Sequence, residues 1–163
     1  MNNHLKIYSR QVLFLLTVAI AMLASVAVKG QEPVVKKDGY YYKNGMLYTG
    51  TYTEYYKSGN PKITINIVNG LEDGEVITRF ESGQKHELRN YKEGRKEGSW
   101  INWNEQGIKV AEARYRNNRK EGDWFVWDDN GILRYEMHYK NGKKSGVWKM
   151  YDAAGNLISE KKY

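Results

Sequence analysis

Glycine recurs every 24 residues at Gly50, Gly74, Gly98, Gly122 and Gly146, and a second series, Gly59, Gly83, Gly107, Gly131 and Gly155, keeps the same interval. A fixed short period marks modules that stack on their neighbours, not one centrally packed domain. The chain is expected to divide into five units, residues 47–70, 71–94, 95–118, 119–142 and 143–163, with a linker and a half-repeat over 31–46. The half-repeat, residues 34–45, is expected to supply the first edge strand. With no cysteine among 163 residues, disulfides, thiolate metal ligands and cysteine nucleophiles are excluded. Packing alone must hold the units together.

Residues 1–30 read differently. Lys6 and Arg10 precede an uncharged apolar run over residues 12–28, followed by Lys29-Gly30-Gln31. That order of charge, apolar stretch and small residues is expected of an export signal cleaved after Ala27 or, preferably, after Gly30. The alternative is an uncleaved N-terminal membrane anchor. Removing Lys6, Arg10 and Lys29 lowers the formal charge from +7 to +4. What remains is not the concentrated basic field of a nucleic-acid binder, and nucleic acid is not expected as a partner.

Within a unit, the first glycine opens a short aromatic segment, as in Gly98-Ser-Trp100-Ile-Asn-Trp103 and Gly122-Asp-Trp124-Phe-Val-Trp127. The second glycine closes a polar cluster such as Asp129-Asn-Gly131. Such segments read as strands joined by tight turns. The following stretch alternates in period two: Leu133, Tyr135, Met137 and Tyr139 fall on one face, Arg134, Glu136, His138 and Lys140 on the other. That is the pattern of a half-buried strand. Asn69-Gly70, Glu93-Gly94, Asn117-Asn118 and Asn141-Gly142 supply the second turn, asparagine replacing glycine where positive φ is required. Two strands and two turns fill 24 residues and leave no room for a helix. The expected fold is all-β, an elongated single-layer antiparallel meander of 24-residue hairpins behind an N-terminal signal segment. Equivalent residues should form ladders, one of Tyr52, Val76, Trp100, Trp124 and Trp148, another of Ile67, Tyr91, Tyr115, Tyr139 and Tyr163. Repeat 2 carries Val76, Arg79, Lys85, Glu87 and Arg89 where other copies put aromatic or aliphatic groups, and local looseness is expected there.

No catalytic, metal-binding or cofactor residue stands out. His86 and His138 lie at non-equivalent offsets, and the Glu112, Glu136 and Glu160 series follows from repetition alone. Two surfaces are candidates for binding. The first is the aromatic set Trp100, Trp103, Trp124, Trp127, Trp148 and Tyr151, able to stack on sugars or grip a partner where exposed; residues two and five positions after the glycine should point to opposite faces. The second is a basic edge of turns carrying Arg119, Lys120, Lys143 and Lys144, facing an acidic edge with Glu81, Glu105, Asp128, Asp129 and Asp152.

Gly146-Val-Trp148-Lys-Met-Tyr151, Gly155, Glu160 and Tyr163 resemble the bacterial variant of the MORN repeat, as do Gly122, Trp124, Trp127, Gly131, Glu136, Tyr139 and Gly142. The resemblance covers about residues 40–163. It implies elongated β-sheets used for protein or membrane-surface contact, and no reaction. The function expected is therefore an exported, non-enzymatic scaffold in the periplasm or at the cell surface, with an unidentified protein or an anionic membrane as partner. A cell-wall or carbohydrate-binding module is the alternative. Relatives of this resemblance are often labelled YwqK family antitoxins, and a part in a toxin-antitoxin system is a third reading, against which the export signal argues.

Overall fold

A computed structural model describes residues 33–163; the signal expected over residues 1–30, with its cleavage positions and His4, lies outside the described residues. Among the described residues every regular element is a β-strand, and no helix is present to cross a membrane. Strands β1 (Val35–Lys37), β2 (Tyr40–Lys43) and β3 (Met46–Leu47) form a small sheet. The repeats form a second, open sheet. It runs in chain order through β4 (Gly50–Tyr55), β5 (Pro61–Val68), β6 (Leu71–Arg79), β7 (Lys85–Lys92), β8 (Arg95–Trp103) and β9 (Lys109–Arg116). From β9 it continues through β11 (Gly122–Trp127), β12 (Leu133–Lys140), β13 (Lys143–Tyr151) and β14 (Leu157–Lys162), while the short β10 (Arg119–Lys120) pairs only with β9. Every pairing is antiparallel, as expected of a meander.

Turn chemistry explains why the chain folds back so regularly. In the six two-residue turns, from Asp38-Gly39 to Asn141-Gly142, the first residue has φ of 47–53° and the second 65–85°. Two consecutive positive φ values define the type I′ turn, whose twist matches that of the strands it joins. The alternate connections are three-residue loops. In one, the Asp128 and Ile132 backbones bond at 2.9 Å while Asp128 Oδ1 accepts from the Asn130 and Ile132 amides, both at 3.0 Å. Asn104 and Asp152 repeat this arrangement.

Two register slips per repeat shape the faces. Beside each three-residue loop one residue is extra, so that Val126 faces Tyr135 but Trp127 faces Leu133. Leu133 therefore joins the Trp127 face, and the unbroken alternation expected from Leu133 to Tyr139 does not hold. The second slip surrounds the first-series glycine: Glu136 faces Lys149, but His138 faces Ser145. Extra residues in one strand leave a ladder carbonyl opposite them without its regular partner.

The sheet is a single layer, and burial is correspondingly shallow. Among the described residues the buried hydrophobic cluster is Tyr41, Ile65, Ile67 and Val76, with Ile67 only 2% exposed. This corrects two expectations. Residues 34–45 do not form the edge of the repeat sheet; β4 does. Two I′ turns fold the N-terminal stretch on itself, and Tyr41 then caps the first repeat, its amide bonded to Gly70 O at 2.8 Å and its ring packed in the cluster. Nor is repeat 2 loose at its start, because the β-branched Val76 meets Ile65 in that same cluster.

Candidate functional site: the two faces of the sheet

Paired residues share a face and neighbours alternate, so the register assigns each side chain. One face carries Trp100, Trp124 and Trp148 with Tyr91, Tyr115, Tyr139 and Tyr163. The two ladders expected from the sequence interleave into one row of seven rings. Successive centroids from Tyr91 to Tyr163 stand 5.4, 4.9, 5.2, 5.1, 5.2 and 4.9 Å apart, tilted by 50–64°. Tilted and edge-to-face pairs at this range are the favoured aromatic arrangement. We refer to this side as the zipper face.

Each indole in the zipper is tied to the backbone. Trp100, Trp124 and Trp148 donate Nε1–H to the carbonyls of Asn90, Arg114 and His138, at 3.1, 3.1 and 3.0 Å. These acceptors lie opposite the glycine slips. The tryptophan two residues beyond the glycine thus bonds a carbonyl across each slip, and the Arg114 carbonyl accepts the Glu121 amide as well, at 3.0 Å. Burial among the rings raises the Tyr91 and Tyr115 hydroxyls above their ordinary value.

Lysines cover the same rings. Lys96 Nζ lies 4.5 Å from the Trp100 centroid, and Lys120 and Lys144 lie 4.3 Å from those of Trp124 and Trp148. Two of the four residues expected on a basic edge are thus cation–π partners, Lys120 half-buried and Lys144 still exposed. Arg119 and Lys143 are exposed at their turns. Carboxylates also occupy that edge: Asp73, Glu97 and Glu121 accept the Glu93, Asn117 and Asn141 amides at 3.2, 2.9 and 2.8 Å, and Thr49 does the same for Asn69. The residue before each of the first four first-series glycines is therefore a tether for the neighbouring turn. Its recurrence every 24 residues was visible in the sequence as Thr49, Asp73, Glu97 and Glu121 but lay outside the aromatic pattern.

Trp103, Trp127 and Tyr151 lie on the opposite, platform face, as their offset of five residues from the glycine predicts. Their rings do not meet across repeats; the aromatic contact there, Phe125 to Trp127 at 5.6 Å, lies within one strand. Between the rings stand paired charges. Lys109 Nζ reaches Glu112 at 2.8 Å and lies 5.6 Å from the Trp127 centroid. Lys149 Nζ reaches Glu136 at 3.4 Å, and the Tyr151 hydroxyl donates to Glu136 at 3.1 Å. Desolvation, followed by that hydrogen bond, raises the Tyr151 hydroxyl. His138 Nδ1 meets Asp123 at 2.6 Å, and His86 stacks 4.4 Å from Phe80. Glu112 and Glu136 thus face lysines within a structural ladder. All ten series glycines have positive φ, from 66° at Gly146 to 149° at Gly50.

Half-buried faces that repeat one side-chain set, with no groups converging on a point among the described residues, define a β-hairpin repeat protein of the binding type. Comparison with protein families matches the MORN repeat variant at residues 48–69, 120–141 and 144–163, so three of the repeats of this chain are MORN-variant repeats. Comparison with curated proteins finds no match.

Proposed function

We propose that the protein is an exported, non-enzymatic scaffold of the cell envelope that presents one face of its repeat sheet to an extended partner. The observation that supports this most directly is the division of labour between faces. The zipper consumes its indole N–H groups and ring edges in holding the sheet, whereas the platform rings Trp103, Trp127 and Tyr151 recur in each of the last three repeats without ring-to-ring contacts between repeats. A scaffold needs such recurrence and a reaction does not, and the match to the MORN repeat variant agrees with a repeat protein of the binding type. Export rests on the apolar run at residues 12–28 behind Lys6 and Arg10. The same signal weighs against an intracellular antitoxin.

Fractionation of cells making the full chain, with mass measurement of its N-terminus, tests the reading. Recovery with the envelope, with or without loss of residues 1–30, is expected. A full-length chain found only in the cytosol overturns it. Contact with an anionic surface is a second reading, favoured by the exposure of Arg119 and Lys143 at the basic turns.

A further inference from the structure

We propose that the platform face is a binding strip for an extended, uncharged β-1,4-linked polysaccharide, with Trp103, Trp127 and Tyr151 each stacking on every second sugar. The inference rests on the scaffold reading and names its ligand. Equivalent rings sit two strands apart, because β9 lies between β8 and β11, and β12 between β11 and β13. At about 4.8 Å per strand the platforms repeat about every 10 Å along the sheet. In an extended β-1,4-linked chain alternate pyranoses turn over, so the same sugar face recurs at every second unit, a distance close to two strand spacings. One repeat then meets one disaccharide.

The chemistry between platforms fits the same polymer. A pyranose offers an apolar C–H face to an aromatic ring and hydroxyls at its rim. Glu112 and Glu136 stand beside the rings as acceptors, fixed by Lys109 at 2.8 Å and by Lys149 and Tyr151 at 3.4 and 3.1 Å. Each carboxylate has a lysine, so this middle band presents hydrogen-bonding groups with its charge balanced. That complements a polyhydroxyl chain without charge, and gives a polyanion no net field to follow. On the zipper face Trp124 and Trp148 are each flanked by two rings and by a lysine at 4.3 Å, whereas Trp127 on the platform has one ring, Phe125, beside it and the Lys109 amine farther off, at 5.6 Å.

The test uses the full chain isolated from cells, mixed with insoluble chitin, with cellulose, and with vesicles of phosphatidylcholine containing phosphatidylglycerol. Retention on at least one of the two polysaccharides is expected, unchanged by salt and released by soluble oligosaccharides of the same linkage. Trp127→Ala should weaken it about tenfold, the loss of about one stacked ring, and Trp127→Tyr should restore it. Arg119→Glu with Lys143→Glu should leave it unchanged. If Trp127→Ala fails to fold, quenching of wild-type tryptophan fluorescence by the soluble oligosaccharide decides. Absence of retention and of quenching overturns the inference, as does full retention by a folded Trp127→Ala. Salt-sensitive capture by the vesicles alone overturns it while leaving the scaffold reading intact; a cytosolic full-length chain removes the scaffold reading itself.

Discussion

The residue before each of the first four first-series glycines shows how a single side chain can tie the closing turn of a repeat back to its opening strand. Asp73 accepts from Lys92 and from the Glu93 amide across a turn, and these contacts, the lysine first, hold its carboxyl below the ordinary 3.8. A depressed carboxylate stabilises the fold above its unfolded value and ceases to do so as pH falls through the folded one. Acidification below 3.8 should therefore loosen the 92–95 turn. Lys92, raised above 10.5 by the same contact, loses its share only as pH rises beyond that value. Asp73→Asn should flatten the dependence of the thermal midpoint between about pH 5 and pH 2; an unchanged slope counts against the tether. Glycine turns offer a second test at this scale. Gly142 and Gly70 both sit at positive φ, but an added Cβ at Gly142 meets only Arg119 Cβ at 3.9 Å, whereas at Gly70 it meets Leu47 Cδ2 at 2.7 Å and Tyr41 O at 3.1 Å. Gly142→Ala should cost about 1–2 kcal/mol from backbone strain alone. Gly70→Ala should cost more in the same denaturant titration, because the N-terminal sheet must move.

At the scale of the strand, the zipper and the platforms separate by stability. Trp124→Ala removes two ring contacts, one indole hydrogen bond and the seat of Lys120. A loss of about 2–4 kcal/mol is expected, against about 1 kcal/mol or less for Trp127→Ala, whose ring lacks that bond. Equal losses by chemical denaturation contradict the division between faces. The strands, their turns and the opposition of Trp124 to Trp127 were legible in the sequence, because period-two alternation and Asn-Gly pairs are local signals. The interleaving of Trp100 with Tyr115 was not, since it depends on which strand lies beside which and on slips at Gly74, Gly98 and Gly146. Neither was the displacement of Leu133, because a bulge shifts every residue beyond it to the other face. Lys120 and Lys144 read as free charges from their turns; only the register brings their amines over rings. The packing of Tyr41 is not legible in the sequence, because its partners Ile65, Ile67 and Val76 lie outside its own half-repeat.

For the molecule as a whole, the shallow burial has a thermodynamic consequence. The four buried hydrophobic residues among the described residues cannot serve as one central core, so stability is the sum of neighbour contacts. Removing residues 95–118 brings Trp124 into the place of Trp100 beside Tyr91, with all later pairs preserved. That shortened chain should fold with a modestly lower thermal midpoint, seen by circular dichroism. Removing residues 95–106 should abolish the cooperative transition, because half a period sets hairpin against the wrong turn. The indole bond reaches ten residues back, always within its own unit and the one before it. Copies of the motif can therefore be gained or lost without redesign of any surviving contact, and the reach of the protein along whatever it grips is a quantity that descent can adjust in whole steps.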